Sequence, residues 1–228
     1  MELALYDGNG NEETMLGECM NSQVDEGSVE SHRYYLCRRT VLEMLRDRGY
    51  AVPDSEINLT LKQFREIYSD SPDLDRLRIL ASLKSDPLNK IMVVFCGPDP
   101  VKVSVIRGIA TQVVNQDGLR RMILIVESPI TNQALKAVEL FRFKVEFFHI
   151  TDLLVNITKH VLKPKHRILT AKEKERLLKK YSIDEKQLPR MMEKDAFARY
   201  YGLEKGQVVK VTYNGEITES HVTYRCVW

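Results

Sequence analysis

The sequence has only four cysteines among its 228 residues, and no two of them are close together in the chain. Without a Cys-x-x-Cys pair, the sequence predicts no zinc site and small buried thiols in a reducing compartment. The four are Cys19, Cys37, Cys96 and Cys226.

Long apolar runs are also missing. The longest, at residues 91–96, is about six residues, whereas a membrane helix needs roughly 20. The first residues lack the basic and apolar regions of a secretory signal. We therefore expect no membrane association.

Positive charge is absent from the first 30 residues, which hold eight carboxylates and no Lys or Arg. The net charge of the whole chain is +2, so the remainder carries +2 − (−8) = +10. Residues 1–28 are predicted to form a disordered acidic extension. The basic remainder favours an acidic partner such as nucleic acid.

Catalytic patterns are missing as well. The five histidines form no His-x-x-x-His pair, and no Gly-x-Ser-x-Gly is present. Asp184-Glu-Lys186 has the letters of a nuclease metal site, but it follows a predicted helix and has no partner Asp. We predict no catalytic residue, metal, cofactor or small-molecule substrate.

What is present favours an α/β fold, because short aliphatic segments alternate with helical spacing. Predicted strands cover residues 77–83, 91–96, 122–126 and 143–148. Four helices are predicted. The first has Glu30 or Ser31 as its N-cap and stops at Gly49, and the others cover residues 61–68, 105–114 and 131–141, the last with Thr131 as its N-cap. These elements predict an N-terminal domain over residues 29–150, with a mixed sheet flanked by helices.

A smaller C-terminal α+β domain is predicted over residues 151–228. Its first part is the most basic stretch of the chain, with nine Lys or Arg against two Glu between Lys159 and Lys180. Two explanations stay open: a solvated helix surface, or contact with nucleic acid or an acidic protein.

Local signals predict the elements of this domain. Thr170 and Glu173 form the pattern of a capping box for a helix that extends to Tyr181. Residues 222–227 alternate in polarity and should pair with residues 207–211 through a turn at Asn214-Gly215.

Between that helix and that strand pair lies Gln187-Leu-Pro-Arg190. Pro189 fixes its own φ and moves Leu188 out of the helical region, so this segment should be extended. Asp195 is a suitable N-cap for a short helix that ends at Gly202. Rigid polar loops around a small core predict a docking surface.

The motifs that carry a family resemblance are Arg46-Asp-Arg-Gly-Tyr50, Leu154-Val-Asn-Ile-Thr158, Gln187-Leu-Pro-Arg190, Asp195, Ala198-Arg-Tyr200, Gly202-Leu203, Gly206-Gln-Val-Val-Lys210 and Val222-Thr-Tyr-Arg225. In this order and at these spacings, they resemble the fifth subunit of eukaryotic nuclear RNA polymerases, which has a counterpart in the archaeal polymerase. The resemblance covers about residues 30–228.

The resemblance implies a non-catalytic subunit of a DNA-directed RNA polymerase in the nucleus. Residues 29–150 would form a jaw domain beside downstream duplex DNA, with a sheet similar to that of restriction endonucleases but without their active site. Residues 151–228 would form an assembly domain that packs on the largest subunit, among other subunits. Contacts to phosphates would be salt-sensitive and independent of sequence.

The resemblance also implies two sets of site residues. On the DNA-facing side they are Pro98, Lys102, Arg107, Thr131 and Asn132. On the assembly surface they are Gln187, Leu188, Pro189, Arg190, Asp195, Arg199, Tyr200, Gly202, Gly206, Gln207, Val208, Val209, Lys210, Tyr224 and Arg225.

The chain departs from the family pattern at several places. Asp195-Ala196 stands where the family has Asp-Pro, Thr131-Asn132 where it has Thr-Pro, and residues 213–221 lack its usual polar loop pattern. Together with the acidic extension, Gly215-Glu-Ile-Thr-Glu-Ser-His221 and the terminal Arg225-Cys-Val-Trp228 resemble the diverged form of this subunit in plant RNA polymerase V, which acts in RNA-directed DNA methylation. The alternatives are a subunit shared by all nuclear polymerases, against which the diverged loop argues, and a free-standing nuclease-like DNA-binding protein.

Overall fold

The computed structural model describes residues 27–113, 118–213 and 221–228. Three predictions fall outside these residues. They are the buried thiol of Cys19, the turn at Asn214-Gly215, and the disordered extension over residues 1–28, of which only the last two residues are described.

The elements of the first part are α1 (Val29–Asp47), α2 (Asp54–Ile57), α3 (Leu61–Tyr68), β1 (Ile79–Leu83), β2 (Asp86–Phe95), α4 (Val103–Val113), β3 (Leu119–Val126), α5 (Asn132–Val138) and β4 (Lys144–His149). Those of the second part are two 3₁₀ turns (Ile150–Leu153 and Ile157–Lys159), β5 (Lys165–Ile168), α6 (Ala171–Tyr181), a 3₁₀ turn (Glu185–Gln187), β6 (Arg190–Met191), α7 (Ala196–Tyr201), β7 (Val208–Tyr213) and β8 (His221–Val227).

The first sheet has the strand order β1-β2-β3-β4. Strand β1 is antiparallel to β2, whereas β2, β3 and β4 are parallel. Because side chains alternate along a strand, Ile91, Val93 and Phe95 of β2 pack towards α1, while Met92 and Val94 pack towards α4 and α5. Helices thus cover both faces, and the predicted mixed sheet flanked by helices is confirmed.

Helix α1 begins earlier than predicted. The Ser28 hydroxyl accepts the backbone N–H of Ser31 at 3.0 Å, so Ser28 is the N-cap. The prediction of Glu30 or Ser31 as N-cap is wrong, because Ser31 is buried in the first helical turn. The predicted stop at Gly49 is confirmed by its φ of +90°.

Other boundaries shift by a few residues. Strand β2 begins at Asp86 because its first half forms a hairpin with β1, whose Leu83 lies opposite Asp86. Helix α5 ends at Val138. Its predicted N-cap is confirmed, since the Thr131 hydroxyl accepts the N–H of Ala134 at 3.3 Å.

The second sheet has the order β5-β7-β8-β6, so β5 and β6 are its outer strands. The predicted antiparallel pairing of residues 207–211 with 222–227 is confirmed, with Val208 opposite Cys226 and Val211 opposite Thr223. Helix α6 covers one face of this sheet, with Leu177 packed among buried residues of that face. Helix α7 covers the other face, where Phe197 and Val209 are buried.

Two strands of this sheet were not predicted. Strand β5 lies in the basic stretch, where Lys165 and Arg167 alternate with His166 and Ile168 and give no apolar run. Strand β6 has two residues, fewer than a sequence pattern can reveal.

The two parts of the chain share a core, because Tyr200 of α7 is buried among residues of α1 and the first sheet. The predicted limits at residues 150 and 151 stay a prediction. Among the described residues, no helix is long and apolar enough to cross a membrane. Cys37, Cys96 and Cys226 are buried free thiols, as predicted, and burial raises the pKa of Cys96 to about 11.

Candidate docking surfaces

Two turns lie side by side at the carboxyl ends of β2 and β3. Val101 bridges Ile130 in parallel, and the N–H of Thr131 donates to the Val101 carbonyl at 3.2 Å. The Ser128 hydroxyl donates to the Pro98 carbonyl. In α/β sheets this edge is where ligands usually bind.

Four of the five predicted DNA-facing residues lie at these turns. Pro98, Lys102 and Asn132 are exposed, and Thr131 is half-buried as the cap of α5. Arg107 is also exposed, but it lies five residues after Lys102, about 140° further around the axis of α4. The structure therefore does not bring Arg107 to the turns.

The segment at residues 187–190 is extended only from its second residue. Gln187 closes a 3₁₀ turn, because its side chain accepts the N–H of Asp184 at 2.8 Å. The predicted extended conformation is therefore wrong at Gln187. It is confirmed at Leu188, whose ψ is 144° and whose side chain is buried against α6.

Pro189 and Arg190 form an exposed edge of the second sheet. The Pro189 carbonyl accepts the N–H of Cys226 at 2.8 Å, and Arg190 pairs with Cys226 in the parallel β6–β8 ladder. The Arg190 guanidinium lies 4.5 Å from the ring centroid of Trp228. A cation and an indole thus lie together beside Pro189.

Helix α7 has the caps that the sequence predicts. The Asp195 carboxylate accepts the N–H of Phe197 at 2.9 Å, and Gly202 ends the helix with a φ of +61°. Asp195 itself is exposed.

Arg199 and Tyr200 of α7 are engaged inside the chain. Arg199 donates to the Phe147 carbonyl at 2.7 Å, and its guanidinium lies 4.6 Å from the ring centroid of Phe148. The buried Tyr200 hydroxyl donates to Asp47 at 2.9 Å. Both side chains bind the first part of the chain, so the accessible portion of the predicted assembly surface lies elsewhere.

The turn before β7 is well fixed. Gly206 has a φ of +83°, and its carbonyl accepts a hydrogen bond from Lys174 at 2.7 Å. The Gln207 side chain accepts the N–H of Glu204 at 2.9 Å and is exposed.

The predicted assembly residues of β7 and β8 divide by burial. Val208 and Val209 are core residues. Lys210 pairs across the strands with Tyr224, and Arg225 pairs with Val209; these three polar or aromatic side chains are half-buried. The accessible set is therefore Gln187, Pro189, Arg190, Asp195 and Gln207, with Gly206, Lys210, Tyr224 and Arg225 partly accessible.

Sequence reasoning missed a cluster of two arginines and one glutamate between the two sheets. The Arg48 side chain is 4% exposed and donates to Glu146 and to the Tyr200 carbonyl, each at 2.7 Å. Arg121 donates to Glu146 at 3.1 Å and to the Gly202 carbonyl at 3.0 Å. Both arginines thus donate hydrogen bonds to backbone carbonyls at the C-terminal end of α7, where carbonyls have no partner within the helix.

This cluster, Arg48, Arg121 and Glu146, is called the junction below. Burial alone would raise the pKa of Glu146, but the two arginines outweigh it and hold that pKa below its usual value. The groups that meet here are 25 to 152 residues apart in the chain. No local signal could have predicted the junction.

A second missed cluster holds the loop that follows β4. Asn156 donates to the buried Glu43 at 2.6 Å and to the Tyr200 hydroxyl at 3.2 Å. Lys159 binds Glu43 at 2.5 Å. Burial would raise the pKa of Glu43, but these partners keep it below its usual value.

Other acidic side chains, including one of the Asp184-Glu-Lys186 sequence, also have partners within the chain. Glu185 of the Asp184-Glu-Lys186 sequence binds Lys174. Glu127, at the carboxyl end of β3, binds Arg33 and accepts from the Tyr34 hydroxyl. Within the described ranges, no group of three or more His, Cys, Asp or Glu could hold a metal ion.

Two family models match the chain. The RNA polymerase Rpb5, N-terminal domain, matches residues 28–113, and the RNA polymerase Rpb5, C-terminal domain, matches residues 155–227.

Individual relatives agree with the two models. The chain is 60% identical to DNA-directed RNA polymerase V subunit 5A of Arabidopsis thaliana over 92% of this chain and 95% of that protein. It is 62% identical to DNA-directed RNA polymerases IV and V subunit 5B of the same plant, over 90% and 94%. Identity to DNA-directed RNA polymerases I, II, and III subunit RPABC1 of Caenorhabditis briggsae is 34%, over 89% and 99%.

The chain has two sheets with exposed edges and is matched along most of its length by these proteins. It therefore belongs to the class of subunits of multisubunit RNA polymerases. Within that class, the chain belongs to the RNA polymerase Rpb5 family. The resemblance in the sequence is confirmed, including its likeness to the plant polymerase V form.

Proposed function

We propose that the protein is a non-catalytic subunit of a nuclear RNA polymerase V and acts in RNA-directed DNA methylation. The observation that carries this proposal is the difference in identity. The chain is 51–62% identical to three plant subunits named for polymerase V, and 34% identical to a subunit named for polymerases I, II and III.

The environment of the acidic side chains supports a non-catalytic role. The most buried carboxylates, Glu43 and Glu146, are each held by a cationic side chain and face the interior of the chain. A catalytic carboxylate has to face a substrate. These two stabilise the fold instead.

The second sheet would dock on the largest subunit through its β6 edge. Pro189 and Arg190 are exposed at this edge, with Arg190 beside Trp228, and Gln207 is exposed just before β7; backbone hydrogen bonds to β8 hold Pro189 and Gln207 in place. A fixed surface loses little conformational entropy when it binds, which favours tight association.

The first sheet would flank downstream duplex DNA through the two turns at the ends of β2 and β3. Lys102 supplies a positive charge, and Asn132 supplies hydrogen-bond donors. We expect both side chains to contact phosphates, so binding should be uniform across sequences and weaken with salt.

The decisive experiment isolates each nuclear polymerase of the source organism through its largest subunit and quantifies this chain by mass spectrometry. We expect it in polymerase V and not in polymerases I, II and III. Equal amounts in all of them would instead identify a shared subunit. A protein that elutes alone and cleaves DNA with Mg²⁺ would overturn the proposal.

A further inference from the structure

Four aliphatic side chains in the loop between β4 and β5 are exposed to solvent. Their exposed fractions are 72% for Val155, 37% for Ile157, 95% for Val161 and 84% for Leu162. Val155, Ile157 and Leu162 line one open hollow of about 500 Å³. We call these four residues the apolar ridge.

The backbone beneath the apolar ridge is held from the interior. Asn156 is 9% exposed, and besides its bonds to Glu43 and Tyr200 its side-chain Oδ1 accepts the N–H of Thr158 at 2.8 Å. Near the other end of the ridge, the N–H of Leu162 donates to the His160 ring at 3.2 Å. Hydrogen bonds, buried at Asn156 and exposed at His160, thus fix a loop whose apolar side chains are exposed, which is the arrangement of a preformed binding surface.

The charge around the apolar ridge indicates the chemistry of its partner. Residues 153–172 contain no Asp or Glu and five Lys or Arg, and although Lys159 and Arg167 bind Glu43 and Glu173, the surface stays positive through Lys163, Lys165 and Lys172. We propose that the apolar ridge binds an acidic polypeptide segment with aliphatic side chains, contributed by another subunit of the polymerase. A second copy of this chain would bring two basic loops together, and a phosphate backbone would leave the aliphatic side chains unmatched.

This surface is distinct from the one at residues 187–190. The apolar ridge leads into β5, whereas residues 187–190 lead into β6, and these are the two outer strands of the sheet. Three strand spacings, about 14 Å, separate those strands. The second sheet therefore presents a contact surface at each edge. This inference rests on the proposed function for the identity of the complex.

The test replaces Leu162 by Ser and compares it with Leu140→Ser, because both side chains are 84% exposed and Leu140 lies outside the ridge. Each tagged variant is expressed in the source organism together with the untagged wild-type chain. Mass spectrometry then gives the ratio of tagged to untagged chain in the purified polymerase. We expect Leu162→Ser to lower this ratio on the order of tenfold, and Leu140→Ser to leave it unchanged.

A pair of charge variants tests the chemistry of the partner. Leu162→Glu should lower incorporation more than Leu162→Lys, because a carboxylate would face an acidic segment. Each variant should melt at the wild-type temperature, since an exposed side chain contributes little to folding. If Leu162→Ser alone proves unstable, the Glu and Lys pair decides the question.

Several results would overturn the inference. Two concern incorporation: equal incorporation of the two Ser variants, or a larger loss of incorporation with Leu162→Lys than with Leu162→Glu. The other two are loss of the chain from the purified polymerase on nuclease treatment, and a dimer of the free chain that Leu162→Ser abolishes. If the wild-type chain itself is absent from every polymerase, the proposed function fails, and that result is separate from these four.

Discussion

Gly202 determines both where α7 ends and how closely the junction packs against it. It ends α7 with a φ of +61°, and a Cβ placed there would lie 2.9 Å from guanidinium nitrogens of both Arg48 and Arg121. A side chain would therefore strain the backbone and push the junction apart.

We expect Gly202→Ala to lower the free energy of unfolding by about 1–3 kcal/mol. Gly108→Ala is the matched control, because Gly108 lies inside α4 with nothing within 4 Å of a built Cβ. That change should raise the free energy of unfolding by up to about 1 kcal/mol. Urea denaturation of both variants is the measurement, and equal effects would contradict the structure.

His166 is a second residue with a measurable consequence. Its ring stacks on Phe197 with the centroids 3.7 Å apart. Burial, with further contributions from Lys163 and Arg225, lowers the pKa of His166 below its usual value and outweighs both the bond to the Pro164 carbonyl and the charge of Asp195.

A lowered folded-state pKa means that protonation opposes folding. The stability that depends on neutral His166 should be complete above the unfolded pKa, about 6.5, and be lost as the pH falls through the lower folded pKa. NMR titration of the ring should give a midpoint below 6.5, and His166→Gln should unfold with less pH dependence between pH 7.5 and 5.5. A midpoint above 6.5 would contradict this account.

The two turns beside α4 and α5 carry the proposed DNA contact. Charge reversal of Lys102, the cation at these turns, should weaken crosslinking of the assembled polymerase to downstream DNA, since attraction to phosphate becomes repulsion. Lys62→Glu is the control, because Lys62 is exposed on α3, which packs against the opposite face of the sheet. Unchanged crosslinking in Lys102→Glu would remove the assignment.

Elements with local signals could be predicted from the sequence. The capping box of Thr170 and Glu173, the Asp195 cap and the Gly202 stop each depend on residues within one or two turns, and all three are confirmed. Strand β5 could not be predicted, because its pairing with β7, and not its own composition, makes it a strand.

The candidate site could be predicted less well than the fold. The predicted assembly residues lie in the second sheet and its loops, but they include Tyr200, Val208 and Val209, whose side chains are buried in the core. The junction and the apolar ridge depend on contacts between distant segments and on the exposure of aliphatic side chains. Neither property is visible in a local pattern.

For the whole molecule, the junction should make the two sheets unfold together. Arg48→Met should lower the free energy of unfolding by about 3 kcal/mol, because it removes a buried partner of Glu146. Glu146→Gln should also destabilise, and the double variant should lose less than the sum of the two, since the groups interact directly.

Urea unfolding can follow both parts at once. Trp228 is the single tryptophan and lies at the second sheet, so its fluorescence reports that sheet, while circular dichroism reports the whole chain. The two transitions should coincide in the wild-type chain. Separate transitions, or strictly additive losses in the double variant, would show that the junction does not couple the sheets.

The junction also has a genetic consequence. The three charges of the junction cannot change independently, because loss of Glu146 leaves the guanidinium groups of Arg48 and Arg121 facing each other, with only Arg121 still bound to a carboxylate, that of Glu204. Relief should come first at Arg121, whose side chain is 24% exposed, and not at Arg48, which also holds the end of α7. A screen for second-site suppressors of a Glu146 substitution should therefore return uncharged residues in place of Arg121, so that changes at these two positions occur together.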